Sequence, residues 1–296
     1  MISFVRKAAE DAVLREDWHE NEDGSRLLLL KYPLLERTGI VEHCFTTRLG
    51  GVSADIFSTM NLSFTRGDEE AAVRENYRRL ARALGAEVGQ FVCSDQTHTV
   101  NVRRVTAADA GKGLTRERDY RDVDGLITDE PGLVLSTFYA DCVPLYVVDP
   151  VRRAIGMSHS GWRGTAARMG AVTLSAMQEA YGTRPEDVVC AVGPSICKDC
   201  YEVSADVADI FAEEFPGHEQ EILAESEKNS VGMAHADKKY QLDLWKANEI
   251  IFQEAGVRKE HLAVTDICTC CNPKLLFSHR ASHGKRGNLG GFLYLK

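Results

Sequence analysis

The stretch "LVLSTFYADCVPLYVVDPVRRAIGMSHS", Leu133–Ser160, decides how this chain folds. It contains three short apolar runs, "LVLSTFYAD", "VPLYVVD" and "RAIGMSHS", each of strand length. Runs that are apolar at nearly every position, rather than at every second one, belong to strands covered on both faces. Chemistry interrupts the pattern at its joints. Asp141 and Cys142 stand directly before "VPLYVVD", and His159 sits near the end of the third run. A core would favour Val at Cys142 and would exclude an imidazole at His159.

The same alternation extends in both directions. "RLLLLKY" and "VEHCFTT" read as early strands. Asp68 is expected to cap a helix over about 69–84, where Val73, Tyr77, Leu80 and Leu84 form one stripe that stops at Gly85. "FVCSDQ", "TVNVRRV" and "DGLITD" precede the deciding stretch as strands. After it come a small, apolar helix over about 165–181 and the strand "DVVCAVGPSI". Ser204 is placed to cap a third helix, and "LWKANEIIFQEAG" is a fourth. "LAVTDI", "LLFSHR" and "NLGGFLYLK" close the chain as strands, and the polar 217–236 stretch reads as a surface excursion. No segment repeats at a fixed period and no Pro/Ser linker divides the chain. The expectation is one α/β (α+β) domain over residues 1–296, with mixed rather than parallel sheets.

Composition narrows the function classes. The chain has 296 residues, 44% hydrophobic and 27% charged, as in ordinary globular proteins. Its net charge of −9 disfavours nucleic acid as a general partner. No apolar run reaches the roughly 18 residues of a membrane span, and the N-terminal sequence lacks a signal-peptide pattern. With nine cysteines, an odd number, the chain is expected in the reducing cytoplasm.

Candidate metal ligands lie at three strand ends or turns: His98 in "SDQTHTV", Cys142 in "YADCVPL" and His159 in "MSHSGWRG". Two imidazoles and one thiolate form a catalytic zinc set with a fourth position open. Scattered His and Cys are common, so spacing alone leaves core or surface roles open. It also leaves open a metal-free cysteine hydrolase acting on amides or muropeptides. There Cys142 would be the nucleophile, His159 the base and Asp141 the orienter, and His98 would have no task.

"FTTRLGGVS", "NLSFTRGD", "SDQTHTV", "DGLITD", "ADCVPLYVVDP", "SHSGWRGTAA", "GPSICKDCYEV" and "CNPKLLFSHR" occur in this order. Together they resemble the multicopper polyphenol oxidase (laccase)-domain family. Some members are called peptidoglycan editing factors, and others are purine nucleoside phosphorylases with adenosine deaminase activity. The resemblance runs from about Phe45 to the C-terminus. It implies a layered α/β sandwich and puts the family's metal ligands on His98, Cys142 and His159. Where members often read Thr-Gly-Arg, this chain has "GKRGN", so no role carries over onto Arg286.

Laccase chemistry gathers several coppers on His-x-His pairs, and the sequence has none. Copper could enter a single N/S site adventitiously, because Cu²⁺ outcompetes Zn²⁺ there. A zinc site would instead suit deamination, by lowering the pKa of water towards about 7 for attack on adenine C6. Asp141 is the nearest carboxylate in sequence for a proton shuttle, or else a residue that orients a ligand. Phosphorolysis needs phosphate held beneath the ribose. Arg48 in "TTRLGG" and Arg163 in "SGWRG" are the candidates for that task, each with a structural ion pair as its alternative. Asn61 and Gln96 could bind base or ribose edges, or cap turns. The cysteines of "CKDC" and "CTCC" could assemble a second, four-sulfur site, but buried thiols are the expectation, because Cys-x-Cys-Cys spacing makes a poor zinc clip. The implied function is a zinc-dependent purine nucleoside phosphorylase that also deaminates adenosine. A binding module that keeps the pocket without turnover is the remaining rival.

Overall fold

The computed structural model describes residues 3–7, 12–230 and 233–296. Parts of the N-terminal reading and of the 217–236 excursion therefore lie outside the described residues. Two six-stranded mixed sheets dominate. In the first, the order is Arg15–Glu20, Arg26–Lys31, Val41–Thr46, Leu289–Leu295, Val134–Tyr139, Phe91–Cys93. In the second it is Leu262–Val264, Val189–Val192, Val143–Asp149, Ala154–Ser160, Gly125–Thr128, Val102–Arg104.

The deciding stretch supplies one strand to the first sheet and two central strands to the second. Its doubly apolar character now has a cause. Tyr146 and Val148 point into the core between the sheets, with Leu30, Phe45, Leu135, Met157 and Leu293. Leu145 and Val147, on the other face, pack beneath the helices Met169–Tyr181, Ala205–Glu214 and Leu244–Glu254, against Met177, Phe211 and Phe252. The outer face of the first sheet carries Leu27, Leu29 and Phe292. It is covered by Val73, Tyr77 and Leu80 of the helix Glu70–Leu84. The result is a four-layer α/β/β/α sandwich, in which each buried large side chain contributes roughly 1.5–3 kcal/mol. Buried tyrosines keep their hydroxyls bonded across the inner core: Tyr146 to the Cys44 carbonyl (2.9 Å) and Tyr139 to the Ser158 carbonyl (3.1 Å).

Local expectations fail in three places. The helix foreseen over 165–181 is two helices, Trp162–Ala166 and Met169–Tyr181, broken at Arg168 with φ +59°. Arg168 is held there by an ion pair to Glu254 and by the Phe215 ring. Asp68 does not cap its helix, which starts after Glu69. Its carboxylate instead accepts from the Asn61 amide and the Glu69 N–H. "LLFSHR" is no strand. Leu275, Leu276 and Phe277 are buried, but the Leu275 and Leu276 N–H groups turn back to the Asn272 carbonyl. Burial, not strand pairing, made that run apolar. The strand Arg15–Glu20, which pairs with the foreseen Arg26–Lys31, and the small sheet of Glu202–Ser204, Leu223–Glu225 and Lys239–Leu242 escape a reading based on apolar runs, because these strands are short or half-exposed. No helix among the described residues is long and apolar enough to cross a membrane.

Candidate metal-binding active site

The chain leaves the first sheet at Tyr139 and enters the second at Val143. The three-residue turn between them places Asp141 at φ +88° and presents Cys142 at the sheet end. On the neighbouring strand His159 lies opposite Pro144, two residues beyond Cys142. His98 arrives from a loop, also with positive φ, +68°. The donor atoms of His98, Cys142 and His159 all lie within 4.8 Å of one another, with Cys142 Sγ 3.9 Å from His98 Nε2. These three groups could hold one metal ion.

Asp124, fully buried just before the strand Gly125–Thr128, organises them. Its carboxylate accepts from His159 Nδ1 (2.8 Å), from the N–H groups of Thr97 (3.0 Å), His98 (3.1 Å) and Thr99 (2.9 Å), and from the Thr99 hydroxyl. One side chain thus fixes the turn that carries His98 and leaves His159 Nε2 free for a ligand. Burial works to raise the Asp124 carboxyl, but His159 and the Thr99 and Thr97 N–H groups together outweigh it and hold the group below its usual value. Sequence reading gave this orienting task to Asp141 and passed over Asp124. The available signal was a carboxylate heading a strand in "DGLITD" with no helix to cap.

Burial alone pushes the Cys142 thiol up, yet His159 and then His98 outweigh it and hold it down at about 6. Burial likewise opposes charge on His159, but Cys142 and Asp124 raise it to about 9. Without metal each group favours the charged form of the other, a thiolate beside an imidazolium. A cation replacing that proton would meet an anionic sulfur and an oriented imidazole, the donors that zinc or copper prefers.

Gly161 lets the ligands converge. A Cβ there would lie 3.0 Å from His98 Cδ2 and 3.1 Å from Cys142 Sγ. Its backbone, at φ −72°, suits any residue, so the requirement is steric alone. Gly161→Ala is expected to weaken metal binding about tenfold, as overpacking by one methyl does. Competition against a chromophoric chelator measures this, and unchanged affinity would show that the ligands move aside freely.

A cavity of about 340 Å³ opens over the three ligands. Phe64, Phe138 and Tyr139 form apolar walls, and Arg66, Arg118 and Arg286 bring positive charge. Arg118 is committed to Asp95 and the Ser94 carbonyl. Arg286 is 9% exposed, and its Nε has no partner. Burial, then the neighbouring Arg66, pushes its guanidinium down to about 10. Such a group lacks an anion.

The other expected site residues are placed differently. Gln96 lines the cavity, but its amide is tied to both backbone groups of Phe138 (2.7 Å each). Arg48 does not line it. Its guanidinium donates to the Ser58 and Pro273 carbonyls and lies over the Phe277 ring. Arg163 stacks on Trp162 and lines a separate surface hollow. Asn61 is fully buried and bonds Ser63, Asp68 and the Asn288 N–H. Asp141 accepts from the Thr269 hydroxyl (2.6 Å) and the Arg280 N–H (2.7 Å), one on each oxygen. Backbone groups take most of the bonds of Gln96, Arg48 and Asn61, as turn residues commonly do.

The fold and site define a class: a double-sheet α/β protein with a single His₂Cys donor set beneath an arginine-bearing cavity. A sequence model described as multi-copper polyphenol oxidoreductase laccase matches residues 42–296, and the chain belongs to that family. It is 34% identical to the purine nucleoside phosphorylase YlmD of Bacillus subtilis, covering 85% of this chain and 87% of that one. It is 37% identical to a purine nucleoside phosphorylase of Deinococcus radiodurans, covering 87% and 90%. The crystal structure of YlmD from Geobacillus stearothermophilus superposes with a TM-score of 0.83 at 31% identity, covering 97% and 100%.

Proposed function

We propose that this chain is a zinc-dependent purine nucleoside phosphorylase, acting on adenosine, inosine or methylthioadenosine, that also deaminates adenosine in the same cavity. The observation that carries the reading is the pairing of one open His₂Cys set with a buried, incompletely partnered arginine across a nucleoside-sized cavity. The names of the relatives support it. His98, Cys142 and His159 would hold the zinc, which supplies Lewis acidity when bound. Copper would enter the same donors only adventitiously. The family's oxidase label does not extend to this proposal, since the nine histidines form no His-x-His pair.

In phosphorolysis a phosphate oxygen bonds to C1′ as the C1′–N9 bond breaks, and the base leaves with that electron pair and takes up a proton. Arg286 and Arg66, in place of Arg48 and Arg163, are assigned to hold the phosphate by charge-assisted hydrogen bonds. Phe64 and Phe138 offer faces for the purine. Asp141 is assigned as a positioning residue, fastening Thr269 and Arg280 behind Cys142. Arg286→Gln is expected to cut phosphorolysis of inosine about 10²-fold, mainly through the phosphate KM, while deamination of adenosine, which needs no phosphate, falls far less. Equal loss of both activities would mean that Arg286 holds the nucleoside or the fold.

One observation favours a second reading. Cys142, His159 and Asp124 line up as a nucleophile, base and orienting acid, so a cysteine hydrolase has its triad. Mass spectrometry of protein incubated with amide or muropeptide substrates separates the two. A covalent adduct on Cys142 supports the hydrolase.

A further inference from the structure

Cys197, Cys200, Cys268 and Cys271 form a second cluster, with all four sulfurs within 4.8 Å of one another. The sequence left open a four-sulfur site beside the favoured reading of buried thiols, and the fold brings the four sulfurs together. Leaving out Cys270, the spacing is Cys-x-x-Cys twice, the usual clip of a structural zinc site. The fold brings the clips together. Val189–Val192 pairs in parallel with Leu262–Val264, and the pairing continues past the strands through the Thr265 N–H to the Val192 carbonyl and a bridge between Ser195 and Cys268. The two cysteine turns therefore leave the sheet edge side by side.

We propose that these four cysteines bind one structural zinc ion, separate from the His98–Cys142–His159 site. Tetrahedral zinc with 2.3 Å bonds to sulfur needs sulfurs about 3.8 Å apart. Cys200 and Cys271 stand 3.5 Å apart, too far for a disulfide and close to the tetrahedral edge. Cubane iron–sulfur clusters need wider cysteines, because each sulfur binds a different iron. The backbone N–H groups of Cys197 (3.2 Å) and Cys271 (3.4 Å) donate to Cys268 Sγ, as they do around metal-bound thiolates. Lys7, ion-paired to Asp199 (2.8 Å), lies in electrostatic range of Cys197 and Cys271. Cys197 and Cys268 are buried and the other two half-buried, so the site is closed to substrate. Its task is to clamp the turn that carries Thr269, and so Asp141, behind the catalytic cavity. This assignment does not depend on the nucleoside reading.

Elemental analysis of the full chain tests it. Wild-type protein should carry about two zinc ions per chain, and His98→Ala should retain about one, by the ligand count of each site. Adding Cys200→Ser and Cys271→Ser to His98→Ala should remove the remaining ion. Should those variants fail to fold, alkylation of the wild type followed by peptide mass mapping decides. Cys197, Cys200, Cys268 and Cys271 should react about tenfold or more slowly than Cys270 until a chelator is added. A zinc-free His98→Ala protein, iron in place of zinc, a Cys200–Cys271 disulfide in the intact mass, or four thiols as reactive as Cys270 would each overturn the proposal.

Discussion

His98→Ala should lower turnover of inosine and of adenosine by about 10³-fold or more, because the Lewis acidity of a bound metal is worth several kcal/mol. The variant removes one of only three protein donors at the open site and leaves Cys142 and His159 in place. Zinc bound there should drop to background, and the Cys142 thiol, still held below its usual value by His159, should alkylate readily once no metal covers it. Holo wild-type protein should resist the same reagent, since coordination engages the sulfur lone pair. His98 is also the residue that separates the two readings of the site. A hydrolase that uses Cys142, His159 and Asp124 has no need of it. A metal-free His98→Ala protein that keeps its activity, with an adduct on Cys142, would remove zinc catalysis from consideration.

Asp124→Asn is expected to weaken zinc binding 10–100-fold and to cost about 1–3 kcal/mol of stability for each donor left unsatisfied. The substitution keeps the shape of the side chain but replaces an accepting oxygen with a donating NH₂ group. Asp124 receives five hydrogen bonds from His159, Thr97, His98 and Thr99, and every one needs an acceptor. The new amide must turn its NH₂ towards at least one of those donors. One oxygen serves both His159 Nδ1 and the His98 N–H, and the other serves Thr97 and Thr99, so either the two histidines or the turn that flanks His98 lose their anchor. Zinc competition and thermal melts read the two effects separately. Unchanged zinc affinity, with only a lower Tm, would show that Asp124 supports the fold and does not orient the ligands.

Much of the architecture was legible in the residues. Apolar runs such as "VPLYVVD" and "RAIGMSHS" encode strands covered on both faces, and both are central strands of the second sheet. Gly85 and Gly182 end their helices in the left-handed conformation, as their positions after apolar stripes imply. "LLFSHR" misled because burial and strand pairing produce the same local composition. His98, Cys142 and His159 drew attention because a thiol and imidazoles are out of place at strand ends. The family resemblance then joined the three into one set.

The arginines show where a local reading stops. Arg48 has the glycine-flanked setting of an anion site, yet its guanidinium is spent on two carbonyls and a Phe ring. Arg286 sits in a segment that departs from the family pattern, yet it reaches the cavity with an unpartnered Nε. The cysteines repeat the lesson. Cys270 disguised a second Cys-x-x-Cys, and only the parallel register that aligns Ser195 with Cys268 brings the two clips together.

By itself the sequence determined the double-faced strands, the helix stops and the identity of the metal-ligand candidates. These depend on the periodicity and chemistry of neighbouring residues, which the chain carries locally. Tertiary structure alone decided that Asp124 rather than Asp141 bonds His159 and the His98 turn, and which arginines reach the cavity. It alone decided, too, that four distant cysteines lie together. A buried polar group takes whichever partner packing leaves within about 3 Å, and that partner is set by sheet register and crossing turns rather than by distance along the chain.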